Sequence, residues 1–565
     1  MTRTVSPPEV SIRTIDQFYG MVRDRGPSEM DEHEFYDLFN ARNNDAEGID
    51  MRPGGKKYQD VTDAPGTKTY GLFEYIGTAG SSLPLKIADG KLYKFTAGAW
   101  TQVDPMTSLV IANADAYFAT MNTKQTGAAA SDTGTTTASD QTSVTDSTKA
   151  YTQNQQVGRI LEVGGEKKLI GGNNATQVIV KERFDNTPAA TGASFSIYPR
   201  QLECFFANGT NFFKTDGTTI TQLDNNPFAY AFDGVEAHNG RLFGWKGTRL
   251  HWSDLGVGEH FSRNSWYDTT TTILRVKSFG NFLCIYERNR VTIMAGDNPD
   301  NFQWTILFPN VGTISGKSVA TYQGKYQFFL SDIGVVIISG DDVQAAEGGK
   351  SNPVSVSRTY IQSLIDAESS ADKALSCAEV YGDNYFLCIG SSWYVLNVHA
   401  SEGVQFKAWI WQREDRPDAM DANVLAIIAN TINVGAQDNG QIYQIETGFT
   451  DDGTAINFVF EKQKWNVLES SDIKRFWTLN MTQRLTQATT MNYFIATDNN
   501  SYGSAIQSVD LSTQTTDFQR IKITGNVTDR KNIGRVISYK ITASSSVGMG
   551  RIEQLDMNFF PSIIN

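Results

Sequence analysis

Asn239-Gly240-Arg241-Leu242-Phe243 is the clearest copy of a short pattern in this chain: a turn that ends in glycine, then a strand rich in aromatic residues. Six further stretches match it, at residues 89–93, 208–213, 279–283, 323–326, 381–385 and 439–443. The copies at 239, 279 and 323 start 40 and 44 residues apart, and those at 323, 381 and 439 start 58 apart. Such a period is typical of a four-stranded propeller blade with its loops. The sequence therefore predicts a mainly β protein built around a β-propeller, for which we expect six blades, with seven as the alternative.

The chain of 565 residues is long enough for two to four domains, and its 40% hydrophobic and 20% charged residues are those of an ordinary globular protein. Breaks in the repeat divide it into five predicted units. These are an N-terminal arm and helix (1–37), a first propeller blade (38–104), an inserted small β-domain with a mobile Thr/Ser-rich loop (105–200), the remaining blades (201–450) and a C-terminal β-sandwich-like region (451–565).

Three segments inside these units carry more specific predictions. Ser28 and Asp31 resemble a helix start, and Phe35, Leu38 and Phe39 share one helical face, so residues 28–39 are predicted to be a helix. A second helix is predicted within residues 355–374. Residues 120–156 have almost no large apolar side chains, and this composition predicts a mobile loop.

The charge and the cysteines limit the classes of function. A net charge of −13 argues against a protein that grips nucleic acid with a basic surface, although an acidic wall would let DNA slide past. Solubility alone is the other interpretation of that charge. Cys204, Cys284, Cys377 and Cys388 are scattered and three of them lie in apolar runs, so we expect buried free thiols rather than disulfides. No segment is apolar enough for a signal peptide or a membrane span.

No enzyme motif stands out from the sequence. His251 and His260, with Asp254 and Glu259 nearby, do not form a recognised metal-ligand spacing, so a polar loop between blades is the preferred interpretation. The nucleophile elbow, the zinc-protease motif and the phosphate-binding loop are all absent. We therefore predict no catalytic residues, no metal site and no cofactor.

An aromatic run at 406–411 has two interpretations. Trp409 and Trp411 lie on the same side of a strand because side chains alternate with a period of two. They belong either to the core of a blade, which is the preferred interpretation, or to a surface that stacks on a sugar or contacts a partner. We keep both tryptophans as candidates for such a surface.

Three stretches carry a resemblance to a known family. The first is Leu38-Phe39-Asn40 followed by Gly48 and by Met51-Arg52-Pro53-Gly54. The second joins residues 239–243 to Leu250-His251-Trp252-Ser253, and the third runs from Gly296-Asp297-Asn298-Pro299 through Phe302 and 312–319 to 324–340. With these stretches the chain resembles the propeller-bearing tail nozzle and hub proteins of tailed bacteriophages, which also include packaged-DNA stabilisation and head–tail connector proteins. We call Asn40, Gly48, Arg52, Pro53 and Gly54 the start motif.

The resemblance covers residues 38–450 and implies a structural function without enzymatic activity. Such proteins form a ring, usually of six copies, below the connector, where they extend the DNA channel, help to hold the packaged genome and anchor fibres. The implied partners are further copies of this chain, connector or adaptor ring proteins, tail fibres and, transiently, genomic DNA. The implied location is the virion tail, after assembly in the host cytoplasm. The Thr/Ser-rich excursion and the C-terminal strands depart from the family pattern, and the sequence does not identify residues that line a DNA lumen.

Two other classes of protein remain as alternatives. A propeller that binds or cleaves host glycans, such as a receptor-binding tail protein, would be a monomer or trimer with a pair of carboxylates in its central pocket. It would use Trp409 or Trp411 to bind the sugar. A cellular scaffold propeller is the third class, and it fits less well because its repeats usually match one another more closely.

Overall fold

The computed structural model describes most of the chain. The described residues are 11–26, 29–43, 48–62, 64–77, 80–103, 110–223, 231–342, 352–405, 408–465, 474–484, 490–498, 501–510, 518–524, 533–534, 537–545 and 551–561. Every helix found among them is too short to cross a lipid bilayer.

Five short strands precede the propeller proper. They are β1 (Ser11–Ile15), β2 (Asp37–Phe39), β3 (Ala41–Arg42), β4 (Asp50–Met51) and β5 (Gly55–Lys57), and a 3₁₀ turn at Tyr58–Asp60 follows them.

The first two blades enclose an inserted unit. Blade 1 consists of β6 (Gly71–Ile76), β7 (Ser82–Ala88), β8 (Lys91–Thr96) and β9 (Ala99–Gln102). Blade 2 begins with β10 (Tyr117–Lys124). The inserted strands are β11 (Asp132–Thr135), β12 (Ala138–Ser139), β13 (Ser143–Thr145), β14 (Ile160–Val163), β15 (Glu166–Asn173), β16 (Gln177–Val180) and β17 (Ser194–Tyr198). Blade 2 is then completed by β18 (Arg200–Ala207), β19 (Phe212–Thr215) and β20 (Ile220–Gln222).

Blades 3 to 5 follow without insertions. Blade 3 consists of β21 (Gly234–His238), β22 (Arg241–Lys246), β23 (Arg249–Asp254) and β24 (Val257–Asp268). Blade 4 consists of β25 (Ile273–Phe279), β26 (Phe282–Glu287), β27 (Val291–Ala295) and β28 (Gln303–Phe308), with a 3₁₀ turn at Pro299–Asn301. Blade 5 begins after a 3₁₀ turn at Gly316–Ser318 and consists of β29 (Ala320–Tyr322), β30 (Tyr326–Ser331), β31 (Gly334–Ser339) and β32 (Val354–Ser355).

Helices α1 (Gln362–Ala367) and α2 (Ser370–Leu375) then lead into blade 6. The sequence predicted a single helix within residues 355–374, and the structure has these two short ones. Blade 6 consists of β33 (Cys377–Tyr381), β34 (Asn384–Ile389), β35 (Ser392–Asn397) and β36 (Ile410–Asp415), with helix α3 (Val398–Gly403) before its last strand. Blade 7, after a 3₁₀ turn at Asp418–Met420, uses β37 (Ala422–Ile428), β38 (Thr431–Ala436) and β39 (Ile442–Ile445). Its fourth strand is β5, which pairs with β39 so that Gly55 lies opposite Ile445.

The described residues thus form seven four-stranded blades, the alternative count, rather than six. The first strands of adjacent blades contact one another around the centre, except that β25 of blade 4 contacts the 3₁₀ turn that precedes β29 of blade 5. Strand β37 of blade 7 contacts β6 of blade 1, which closes the ring. Each of the seven glycine-turn copies lies in a different blade. The copies at 239, 279, 323 and 381 join the first and second strands of a blade, whereas those at 89, 208 and 439 join the second and third.

The inserted unit is an ordered β-domain. Its seven strands follow the order β11-β17-β14-β15-β16-β13-β12, around a core that includes Leu161, Ile170 and Phe195. The loop predicted to be mobile at 120–156 instead contains β10 to β13. Asp146 shows why so polar a segment is ordered, because its carboxylate accepts hydrogen bonds from the backbone amides of Thr135 (3.0 Å) and Thr148 (2.9 Å).

The C-terminal region is a two-layer β-sandwich that incorporates the N-terminal strands. Its strands are β40 (Thr450–Asp451), β41 (Thr454–Trp465), β42 (Lys474–Arg484), β43 (Thr490–Thr497), β44 (Gln507–Asp510), β45 (Phe518–Thr524), β46 (Ile533–Gly534), β47 (Ile537–Ser545) and β48 (Ile552–Pro561). One layer has the order β1-β48-β42-β45, with β46 beside β42, and the other contains β2, β41, β47, β43 and β44. Phe460, Met481, Tyr493 and Leu555 are buried in their shared core.

The predicted helix over 28–39 is wrong. Ser28 lies outside the described residues, and residues 37–39 form β2, in which Leu38 lies opposite Phe460 of β41. Phe35 and Leu38 are buried, as the predicted helix would also have required. They are buried against strands, however, and not as the face of a helix. The helical spacing was misleading because both sides of this segment pair with distant strands, and such tertiary pairing overrides local preference.

The predicted boundaries change for the same reason. Of the predicted arm, residues 1–10 lie outside the described range, and β1 pairs with β48. The first blade starts at Gly71. Of the predicted first part of that blade, β2 belongs to the sandwich and β5 belongs to blade 7 instead.

Candidate functional site: a buried ionic network

The start motif lies where three parts of the molecule meet. Strand β2 runs between β36 of blade 6 and β41 of the sandwich, with Phe39 opposite both Arg413 and Val459. Sixteen residues after Phe39, β5 begins at Gly55 as the outer strand of blade 7. Strands β2 and β5 therefore fasten the sandwich to the last two blades.

Asn40 fixes the turn between β2 and β3. Its φ of 53° is in the left-handed region, which asparagine tolerates better than most residues. Its side-chain oxygen accepts hydrogen bonds from Arg52 Nε (2.7 Å) and from the amide of Asp415 (3.0 Å), and its Nδ2 donates to the carbonyl of Asn457 (2.6 Å). One buried amide thus connects the N-terminal segment to blade 6 and to the sandwich.

Arg52 is the centre of the site, and its side chain is only 1% exposed. The guanidinium donates to both carboxylate oxygens of Asp451, at 3.0 Å for Oδ1. It also donates to the carbonyls of Asp415 (2.6 Å) and Pro53 (3.0 Å). The planar fork of arginine suits such two-point binding of a carboxylate, which a lysine could not reproduce.

Arg52 and Asp451 belong to a larger network, which we call the ionic cluster. Its members are three arginines and three acids: Arg42, Arg52, Arg416, Glu414, Glu446 and Asp451. Arg42 pairs with Glu414 and, at 2.7 Å, with Glu446, and Arg416 reaches Glu414 at 2.9 Å, Glu446 at 3.3 Å and Asp451 at 3.4 Å. The formal charges balance, as burial of this many ions requires.

The arginines favour an ionised Glu414 at the centre of the cluster, whereas burial raises the pKa of Glu446. Burial alone would raise the pKa of Glu414, but Arg42, Arg416 and Arg52 hold it below its ordinary value. Burial likewise works against a charged Arg416, whose pKa is nevertheless raised by Glu414, Asp451 and Glu446. Removing one member would leave another charged group buried without its counter-ion, which is far more costly than the pair itself is stabilising.

The two glycines of the start motif allow close packing. A Cβ on Gly54 would lie 2.0 Å from the carbonyl oxygen of Thr450, and one on Gly48 would lie 2.1 Å from Nε of Arg551. Pro53 favours an extended conformation at Arg52, the residue before it. Asn40, Arg52, Pro53 and Gly54 thus bring the start of β5 close to Asp451, whereas Gly48 allows close packing against Arg551.

The sequence did not identify the other members of the cluster. Arg42, Glu414, Arg416, Glu446 and Asp451 are spread over more than 400 residues, and nothing local marks them as buried. A weak signal exists in Arg413-Glu414-Asp415-Arg416, where Glu414 and Arg416 are two residues apart and so lie on one side of the chain. The side chains of the cluster are at most 12% exposed and pair with one another, an arrangement that suits a structural lock.

Trp411, a candidate for a sugar-binding or interface surface, does not lie on the surface. It is fully buried, and its indole Nε1 donates to the carbonyl of Val356 at 2.9 Å. Trp409 is half-buried and packs against the same core, while residues 406 and 407 lie outside the described part. For Trp411 the candidate role as a sugar-stacking or interface residue is therefore wrong, because the strand turns that side chain into the core.

His251 and His260 are not brought together as ligands. His251 is buried in blade 3, and burial lowers the pKa of its imidazole to about 4. His260 bonds to Asp254, whose carboxylate also accepts from Lys168 of the inserted domain at 2.9 Å. Within the described residues, no group of three potential ligands could hold a metal ion. Asp254 instead helps to fasten the inserted domain to blade 3.

A charged cavity of about 330 Å³ lies at the centre of the propeller. Its lining includes Glu74, Arg275, Lys277, Lys317 and Glu379 from the innermost parts of the blades. Burial raises the pKa of Glu379, and Lys277 and Arg275 oppose that rise. Glu74 accepts hydrogen bonds from Ser82 Oγ and from the amide of Ala429 at 3.0 Å. The cavity thus holds two carboxylates among three basic side chains.

The similarity of this chain to known proteins is distant. No family model matches the chain, and no curated protein matches it in sequence. Solved structures do match. The extracellular domain of a one component system from B. thetaiotaomicron is 10% identical with a TM-score of 0.37, over 90% of this chain and 63% of that one. The WD40 β-propeller domain of Doa1 is 9% identical with a TM-score of 0.34, over 70% of this chain and 96% of that one.

Hsv2 of Kluyvelomyces marxianus is a further match, at 8% identity and a TM-score of 0.27, over 41% of this chain and 66% of that one. The chain thus spans less than two thirds of the length of Hsv2 and of the bacterial domain. At this level the matches carry no argument about function. The assignment of a β-propeller rests on the seven blades themselves.

Proposed function

We propose that this chain is a tail nozzle or hub protein of a tailed bacteriophage. It would be a virion subunit without enzymatic activity that forms a ring of six copies below the connector, extends the DNA channel, helps to retain the packaged genome and anchors fibres. One observation carries the proposal: four of the five residues that resemble the family's start motif, Asn40, Arg52, Pro53 and Gly54, lie at the ionic cluster. Because these residues have defined structural roles there, the resemblance rests on positions that the fold uses.

Two further features support a ring-forming conduit. The N-terminal segment and the sandwich are fastened rigidly to the disc, and such appended units can supply the head-to-tail contacts that a closed ring needs. The net charge of −13 would repel phosphate and limit sticking of DNA that moves through a channel. On this proposal the partners are other copies of the chain, connector or adaptor ring proteins, and fibres.

The mass of the purified protein in solution tests the proposal. Native mass spectrometry and negative-stain images would be recorded for the chain alone and after mixing with its connector. Six copies of the 62.5 kDa chain should give a ring of about 375 kDa with a central hole, with or without the connector. A chain that stays monomeric at all concentrations and never joins the connector would contradict the proposal.

Glycan binding is the second candidate, and the central cavity is the observation that favours it. Glu74 and Glu379 place two carboxylates where a propeller glycosidase or lectin would hold its ligand. A glycan array with the wild-type chain and with Glu379→Gln is the direct test. Saturable binding that is lost in the variant would favour this function, and an array without binding would remove it.

A further inference from the structure

A second cavity lies at the seam between the inserted domain and the propeller. It has a volume of about 380 Å³, within the range of small-molecule sites. Blades 2 and 3 supply most of its wall, and Leu169 and Lys181 close it from the inserted domain. The cavity therefore lies where the inserted domain packs against the disc.

The charge of this cavity is opposite to that of the protein as a whole. Lys181, Arg200 and Arg241 line it, and its lining contains no aspartate or glutamate. Arg241 is neutralised by Glu182, whose carboxylate also accepts from the amide of Leu255 at 2.7 Å. Arg200 and Lys181, in contrast, form no ion pair with any carboxylate in the described ranges. Two positive charges thus face the cavity without a counter-ion from the described part of the chain.

Arg200 is the more informative of the two. Its Nε is buried and has no hydrogen-bond partner in the described part of the chain, and its Nη2 makes only a long contact of 3.4 Å with the carbonyl of Asn122. Burial lowers the pKa of its guanidinium, and no acidic group offsets that effect. A half-buried cation with one buried donor left unpaired is available to bind an anion, because no carboxylate of the described residues competes for it.

The backbone beside Arg200 leaves room for such a ligand. Gly256 has a φ of 70°, and a Cβ there would lie 3.4 Å from Nη2 of Arg200 and 3.0 Å from Leu169. Next to the charged groups, the cavity wall is apolar, with Met121, Leu169, Leu202 and Leu255. The site therefore combines an anion-binding end with an apolar end.

We propose that this seam cavity binds a small organic anion, with Arg200 and Lys181 holding its phosphate or carboxylate group and the leucine-rich wall covering its apolar part. Arg200 would donate charge-assisted hydrogen bonds, which are the stronger kind. The inference goes beyond the proposed function, since it holds for a monomer as well as for a ring.

Calorimetric titration of the full chain tests this inference with three probes of similar size: phenyl phosphate, benzoate and uncharged benzyl alcohol. We expect saturable binding of phenyl phosphate or benzoate and none of benzyl alcohol, and the stronger of the two anions identifies the headgroup. Arg200→Gln should weaken that binding by about tenfold or more, and Arg200→Lys should weaken it less because it keeps the charge. Arg288→Gln is the control. Arg288 is exposed and, unlike Arg200, is already paired with Asp332, so this variant should bind as the wild type does.

The melting temperature without ligand shows whether the variants fold. Arg200→Gln should not lower it, since the substitution removes a charge that the protein itself does not neutralise. An anion that binds the wild type should raise its melting temperature in a concentration-dependent way and should raise that of Arg200→Gln less. Equal binding to wild type and Arg200→Gln, or no saturable binding of either anion to the wild type, would overturn the inference.

Discussion

Replacing Arg52 by methionine should lower the free energy of unfolding by about 3–5 kcal/mol, the usual cost of removing one partner of a buried ion pair. The side chain is 1% exposed, and it donates to both oxygens of Asp451, to Asn40 and to two backbone carbonyls. Methionine fills a similar volume, so the loss reports the missing charge and donors rather than a cavity. Arg416, 3.4 Å from Asp451, offsets only part of it.

Arg288→Met is the matched control. Arg288 also binds an aspartate through two nitrogens, Asp332 at 2.6 and 2.7 Å, but the two side chains are 44% and 61% exposed. An exposed pair of this kind contributes less than about 1 kcal/mol because water and salt screen it. Guanidinium denaturation followed by tryptophan fluorescence compares the two variants. Hydrogen exchange of the peptide that contains β5 locates the damage. The exchange should be faster than in the wild type for Arg52→Met but not for Arg288→Met.

A double variant separates the buried charge from the lost contacts. Asp451→Asn added to Arg52→Met removes the carboxylate that has lost its main partner, so it should recover roughly 0.5–3 kcal/mol relative to Arg52→Met. The reasoning would be refuted if Arg52→Met were no more destabilising than Arg288→Met. It would also be refuted if β5 exchanged at the wild-type rate in Arg52→Met, because the cluster would then not hold the N-terminal strand in blade 7.

Three further predictions concern other parts of the chain. Gly54→Ala should lower the melting temperature by several degrees because its Cβ would lie 2.0 Å from a backbone oxygen, whereas Gly340→Ala, with no atom within 4 Å of the added Cβ, should leave it unchanged when both are compared by differential scanning fluorimetry. The imidazole of His251 has a folded pKa of about 4 against an ordinary 6.5, so the unfolded chain binds the proton more tightly and stability is lost as the pH falls from 6.5 to 4. In His251→Phe the free energy of unfolding should therefore fall less steeply with decreasing pH, by up to about 1.4 kcal/mol per pH unit. Denaturant titrations at pH 7, 5.5 and 4.5 measure this difference. All four cysteines are buried, so Ellman's reagent should react with none of them in the native protein and with four after unfolding, and a fast-reacting thiol in the native state would contradict the described packing.

The sequence predicted the repeated part of the fold well because each blade carries its own local signal. A turn that needs glycine at positive φ, such as Gly240 or Gly324, is visible in the sequence wherever it falls in a blade. The number of blades was harder to obtain, because three copies occupy a different turn from the other four and the spacing is therefore uneven. The seven copies were nevertheless one for each blade.

The N-terminal segment and the ionic cluster could not be predicted in the same way. Phe35 and Leu38 have a spacing that suits a helix as well as a buried strand, and only the pairing of Leu38 with Phe460 decides between them. Arg52 was noticed through a family resemblance, but its partner Asp451 lies about 400 residues away and has no local mark of burial. Trp411 could not be assigned from the sequence either. The alternation of side chains allowed this face of the strand to be a surface, but the segment at Val356 covers it.

The closure of blade 7 by β5 sets the timing of folding during synthesis. Gly55 leaves the ribosome about 390 residues before its partner Ile445. At roughly 5–20 residues per second, the N-terminal strand waits about 20–80 s before blade 7 exists to receive it. The first blades can form during that interval, but the ring cannot close and the ionic cluster cannot assemble until the chain has been made as far as Ile445 and Asp451, about four fifths of its 565 residues. A chain truncated before residue 445 would therefore keep an open disc with an unpaired strand, the state most exposed to aggregation.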